Sequence, residues 1–152
     1  MKSYPITRLQ HLTNLSSCIH RDTVIVQGGH WDARKGAALL VFPPDFVVED
    51  TTLTLFRWKP SLCSPPLQPN EAVVSNVLEL SAEDAEGLQF NKEVTVGISH
   101  SGPDLRGYEV VIKTLTDAER NEWKDIEKTV DFRSVSGGGW LLSSIYYAYG
   151  LL

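Results

Sequence analysis

The side chains able to do chemistry in this chain of 152 residues are few and dispersed. His11, His20, His30 and His100 each stand alone, and no pair has the helical or hairpin spacing of a metal-ligand set. His30 follows Gly28-Gly29 beside Trp31 and Asp32 and reads as a surface turn residue. His100, in Ser99-His100-Ser101, is the one candidate proton shuttle. Carboxylates cluster as Glu83, Asp84 and Glu86, and again as Asp117, Glu119, Glu122, Asp125 and Glu127. Such groups act as general acid and base when burial separates their pKa values. Mixed with Arg120, Lys124 and Lys128, they read instead as a solvated face. Cys18 and Cys63 form neither a metal spacing nor a disulfide framework, which fits a reducing compartment, with one bridge between them left open. No G-x-S-x-G elbow, P-loop or H-E-x-x-H occurs, and Gly28-Gly29 and Gly137-Gly138-Gly139 lack the strand–helix context of a nucleotide site. Trp31, Trp58, Trp123 and Trp140 would mark a ligand groove if they converged, but each falls at or near an expected strand end, where core or rim packing is the reading. No metal, cofactor or ordinary enzyme activity is expected from this inventory.

The elements that must position these residues read as strands. Fourteen Val, seven Ile and ten Thr make up about a fifth of the chain. Branched side chains pack well on a pleated surface and are stiff in a helix. Short β-rich runs recur at Thr23–Gln27, Ala37–Phe42, Thr51–Trp58, Ala72–Leu80, Val94–Ser99, Tyr108–Thr114, Val130–Val135 and Trp140–Tyr147. Between them lie turn residues such as Gly28-Gly29, Pro43-Pro44-Asp45, Ser64-Pro65-Pro66 and Ser101-Gly102-Pro103-Asp104. Alternation puts Leu53, Leu55 and Arg57 on one face of their run and Thr54, Phe56 and Trp58 on the other. In the next clean case, Val94, Val96 and Ile98 share a face. The expected fold is therefore all-β, an antiparallel sandwich. One short helical turn is also expected, because Thr116-Asp117-Ala118-Glu119 matches a capping box.

Residues 1–22 are polar and mildly basic through Lys2, Arg8 and Arg21, and read as a leader or edge segment; 23–152 reads as one sandwich domain. The net charge of −5, with 14 scattered Lys and Arg, argues against a nucleic-acid partner. No apolar run reaches the roughly 18 residues of a membrane span, so neither membrane insertion nor secretion is expected, and the expected location is cytoplasmic.

Three blocks resemble the ZU5 family, the β-sandwich of ankyrins, ZO tight-junction proteins and netrin-receptor cytoplasmic regions. The first is Gly28-Gly29 followed by Gly36 and Ala37-Ala38-Leu39-Leu40-Val41-Phe42-Pro43-Pro44, with Asp45 where the family usually has Gly. The second runs from Pro65-Pro66-Leu67 through Glu71–Leu80, with Ser81-Ala82 in place of the family's Gly-Pro. The third is Gly87-Leu88-Gln89-Phe90 with Val94–His100, where Glu93 and Ser99 replace prolines. Together they cover about residues 24–101, and Tyr108–Lys128 is similar to the ankyrin version.

The C-terminal end points to one branch of that family. Some ZU5 domains, in PIDD and in the FIIND region of inflammasome sensors, cut their own chain within a His-Phe-Ser step, before an aromatic strand that usually begins with Trp. Here the corresponding stretch is Ser134-Val135-Ser136-Gly137-Gly138-Gly139-Trp140-Leu141-Leu142. The flanks are similar, while Gly137, Gly138 and Gly139 stand at the cleavage tripeptide. Such a cut uses the Ser hydroxyl to attack the preceding carbonyl, giving an ester that water hydrolyses. Gly139 has no hydroxyl and Gly137 no imidazole, so no self-cleavage is expected from this chain. The resemblance implies a signalling scaffold whose last strand, with Trp140 and Leu142, stays bound to the sandwich. It also implies protein partners: a following UPA domain and death-fold signalling proteins. The alternative is a non-cleaving ankyrin or ZO-type module binding a cytoskeletal or junctional protein, although the negative net charge is a poor match to an acidic partner such as spectrin.

Overall fold

A computed structural model describes residues 16–33, 38–59, 61, 63–82, 90–101, 109–117, 119–126, 129–133, 139–146 and 150–151. The described residues are all-β, in antiparallel sheets that pack against each other as a sandwich. Their elements are β1 (Ser16–Val24), β2 (Gly29–Ala33), β3 (Ala38–Phe42), β4 (Thr51–Trp58), β5 (Val77–Ala82), β6 (Glu93–His100), β7 (Lys113–Asp117), β8 (Glu122–Asp125), β9 (Thr129–Arg133), β10 (Gly139–Tyr146) and β11 (Gly150–Leu151). One sheet has the order β1-β4-β5-β11 and the other β2-β3-β6-β10-β9, while β7 and β8 form a separate hairpin.

The alternation of the sequence becomes the burial of the core. Leu53 and Leu55 of β4 and Leu78 and Leu80 of β5 line the inner face of the four-stranded sheet, each at most 3% exposed. Ala38, Leu40 and Phe42 of β3 and Val94, Val96 and Ile98 of β6 do the same for the five-stranded sheet. Burying each Leu, Val or Ile contributes roughly 1.5–3 kcal/mol, which makes this shared interior the main driving force of the fold. An aromatic chain runs through it. His20 lies 4.6 Å from Trp31, Trp31 5.0 Å from Phe42, Phe42 5.2 Å from Phe46, and Phe46 stacks on Phe90 at 4.5 Å.

Two turns show why particular residues stand where they do. Gly28 has φ 85°, and a Cβ there would meet the Phe42 carbonyl oxygen at 2.4 Å. Glycine is the residue that tolerates both demands. Asp45 also occupies the left-handed region, at φ 61°. Asp is among the few residues that reach it at modest cost. The Asp45 amide donates to the Val26 carbonyl at 2.7 Å and ties the two turns together.

The expected helical turn is corrected. Around 116–124 the chain makes the β7–β8 hairpin, with Leu115 opposite Trp123 and Thr114 opposite Lys124. The Asp117 carboxylate accepts from the amides of Glu119 (2.9 Å) and Arg120 (3.1 Å), and Asn121 turns the chain back at φ 52°. The acidic residue thus caps a tight turn, because a helix under three turns long has little stability of its own. Other boundaries move as well. β1 begins at Ser16 rather than Thr23, β5 at Val77 rather than Ala72, and β7 at Lys113 rather than Tyr108. β2 and β11 are strands that the periodicity did not mark.

Candidate functional site

Of the sequence-derived site residues, Gly137 and Gly138 lie outside the described residues. Gly139 is the first residue of β10, opposite His100 of β6 on one side and Arg133 of β9 on the other. Trp140 stands opposite Ser99 and Phe132, and Leu142 opposite Gly97 and Val130. β10 is thus an interior strand of its sheet rather than the last strand of the chain, since β11 follows and pairs with β5.

His100 closes the inner-facing row Val94, Val96, Ile98 and is 5% exposed. On the side away from Gly139, Ser75 bridges His100 in antiparallel fashion, and both the amide and the hydroxyl of Ser101 donate to the Val74 carbonyl, at 2.8 and 3.2 Å. The segment 74–75 therefore lies along β6 beyond the partner of Ala38, the first residue of β3, and holds the end of β6 in position. The other histidines do not join this place: His30 is exposed on β2, and His20 sits beside a bulge in β1 against Trp31. Among the described residues, no three His, Cys, Asp or Glu come together as a group able to hold a metal ion. Of the acidic clusters, Glu83, Asp84, Glu86 and Glu127 lie outside the described residues, and the others decorate the β7–β8 hairpin.

A second polar centre was not read from the sequence. On the outer face of the four-stranded sheet, the indole Nε1 of buried Trp58 donates to Glu79 Oε2 at 2.7 Å. Burial pushes the Glu79 carboxyl above its usual range, and the Trp58 hydrogen bond pulls the other way without cancelling it. Cys63 lies close enough to feel that carboxylate: burial first, and then the Glu79 charge, hold its thiol above the ordinary range. The effect on Cys63 is to keep it protonated and a poor nucleophile. Glu79 has the period-two position of an outer, solvated residue, so its partner 21 residues earlier could be found only from the β4–β5 register, which puts Trp58 opposite Val77. Cys18, by contrast, is exposed, and the two thiols are unlinked.

An open groove of about 500 Å³ lies between Pro65-Pro66 and the β7–β8 hairpin. Trp123, Lys113, Arg120 and Lys124 line it, with Glu122 among them. Burial works against the Lys113 charge, but Asp125 at 3.2 Å and Glu71 at 3.5 Å more than offset it and raise its pKa. Of the four Trp residues, Trp31 and Trp58 are buried and Trp123 faces this groove. Compared with known proteins, the chain matches no family model and no curated relative. Among the described residues no helix is long and apolar enough to cross a membrane.

Proposed function

We propose that this chain is a ZU5-type protein-interaction and signalling scaffold of the self-cleaving kind, in a form that keeps its chain whole. The observation that carries the reading is the place of Gly139. It stands at the start of β10, between β6 and β9, and directly across the ladder from His100. A chain cut immediately before residue 139 would leave β10 paired along both of its edges, so the pieces would remain together. A hydroxyl at 139 would also start opposite an imidazole-bearing residue, where a general base is needed. In the active chemistry the Ser oxygen attacks the carbonyl of residue 138. The amide bond gives way to an ester as the nitrogen takes up a proton, and water then hydrolyses the ester. Gly139 lacks the attacking atom, so in this chain the step stops before it begins.

In this reading the sandwich presents an uncut final segment to protein partners, with a UPA domain and death-fold signalling proteins as the expected class. A cytoplasmic setting goes with it, and the two unlinked thiols are compatible with that.

The test is the triple substitution Gly137→His, Gly138→Phe, Gly139→Ser, followed by a denaturing gel. Two bands are expected, migrating together under native conditions. Adding His100→Ala is expected to return one band. A single intact band from the triple variant after prolonged incubation overturns the self-cleaving lineage.

A further inference from the structure

We propose that the exposed proline segment 65–69 is itself a ligand, taken up by a partner protein whose domain carries an aromatic-lined groove for polyproline-like chain. This surface does not involve Gly139 or self-cleavage and is tested without either. The stretch Pro65-Pro66-Leu67-Gln68-Pro69 contains Pro-x-x-Pro at 66–69. A proline ring holds φ near about −65°, and the residue before a proline is confined to extended backbone. Ser64, Pro65 and Gln68 each precede a proline, so sterics alone keep most of the stretch extended. The described backbone agrees, since 64–68 belongs to no helix, strand or turn. Polyproline geometry has about three residues per turn, which puts Pro66 and Pro69 on one edge of the segment.

The fold presents this segment ready-made. Every residue from Pro66 to Ala72 is exposed, Leu67 at 46%. Both ends are tied down. Asn121 Nδ2 donates to the Ser64 carbonyl at 3.5 Å. At the other end the Glu71 amide donates to the Gln68 carbonyl at 3.0 Å, and the Gln68 amide donates to Glu71 Oε2 at 3.0 Å. Lys113 pairs with Glu71 at 3.5 Å and fixes that turn to β7. Between the ties, no hydrogen bond to a described residue engages the Pro66 or Leu67 carbonyl. A segment that is extended before it binds loses little conformational entropy on binding. Its rings, the Leu67 side chain and the open carbonyls match a groove of aromatic faces with indole or phenol donors. Charge narrows the partner further. No Lys or Arg occurs between 60 and 71, so the segment is read by ring contact and shape, with no basic residue to enter an acidic pocket.

The experiment titrates the full chain against a panel of purified SH3 and WW domains by isothermal calorimetry, at low and at physiological salt. At least one domain is expected to bind with a Kd below about 1 mM. The double variant Pro66→Ala, Pro69→Ala is expected to lose on the order of tenfold in affinity, and Leu67→Ala less. Pro44→Ala, at an exposed proline elsewhere, is expected to bind as the parent does. Circular dichroism checks that each variant keeps the parent's strand signal. Replacing the Trp of the bound domain's groove by Ala is expected to abolish binding, which tests the contact without altering this chain. Affinity is expected to change by less than about threefold between the two salts, because the contact is uncharged. A panel in which no domain binds more tightly than about 1 mM overturns the proposal. So does a double variant that binds as well as the parent, binding that survives loss of the groove Trp, or a steep loss of affinity with salt.

Discussion

The two faces of the four-stranded sheet are both covered, yet they are covered by opposite means. On the inner face, Leu53, Leu55, Leu78 and Leu80 belong to the buried apolar core they share with the other sheet. On the outer face, Thr54, Trp58 and Val77 are nearly as buried, at 4–5% exposure, but Glu79 is set among them. The inner face needs no partner chemistry, because removing apolar area from water is favourable whatever its detailed pairing. The outer face includes a carboxylate that must either be hydrogen-bonded or hold its proton, and the Trp58 donor and the raised Glu79 pKa reflect both responses. One face is the stability of the molecule. The other is where its polar groups are pressed out of water.

The contrast can be broken by substitution. Leu78→Ala, on the inner face, is expected to cost about 2–5 kcal/mol, measured as a fall in denaturation midpoint with the slope unchanged. A loss under about 1 kcal/mol would mean the interior is not the close-packed layer its burial describes. On the outer face, Trp58→Phe keeps most of the ring and removes the donor to Glu79, with an expected cost of about 1–3 kcal/mol. If that variant equals Leu78→Ala in cost, the two faces do not divide the labour as argued.

Smaller effects sharpen the same point. Because the folded Glu79 carboxyl is raised, the folded chain keeps that proton to higher pH than the unfolded chain does. The contribution of this group to stability is fully present below the unfolded carboxyl's pKa and is lost as pH rises through the raised folded value. Glu79→Gln keeps an acceptor for Trp58 and has no proton to lose, so its stability is expected to stay level across that window, relative to the parent's decline. A parent curve that rises there would contradict the burial of the carboxyl. The smallest effect concerns Cys63. Burial is the larger cause of its raised pKa and the Glu79 charge the lesser, so Glu79→Gln is expected to speed maleimide labelling of Cys63 only modestly, and to leave it slower than exposed Cys18. Labelling of Cys63 as fast as Cys18 in the parent would remove the case for a shielded thiol.

Much of the fold was legible because strand periodicity is local. Leu53/Leu55 against Thr54/Phe56/Trp58, and Val94/Val96/Ile98, divide between faces as their alternation predicts. The β7–β8 hairpin was misread because Thr116-Asp117-Ala118-Glu119 satisfies a helix start and an Asp-capped turn equally well at that length. Pairing between Leu115 and Trp123 is what distinguishes them. β2 was missed because Gly28-Gly29 reads as turn alone, whereas only Gly28 has positive φ and Gly29 already pairs with Phe42. The candidate site was less legible still. Gly139 stood out by resemblance, but its position opposite His100 depends on the register of two strands far apart in the chain.

Composition and period-two alternation by themselves determined that this chain would fold as β-strands with an apolar inner side, since both properties belong to single side chains and their immediate neighbours. Only the tertiary structure decided that Glu79 meets Trp58, that Cys63 lies under its influence, that Arg120 and Lys124 share a groove with Pro65 and Pro66, and that β10 lies between β6 and β9. Those are pairings at long separation along the chain, set by strand register and sheet order, and no local pattern of residues encodes which distant strand will become a neighbour.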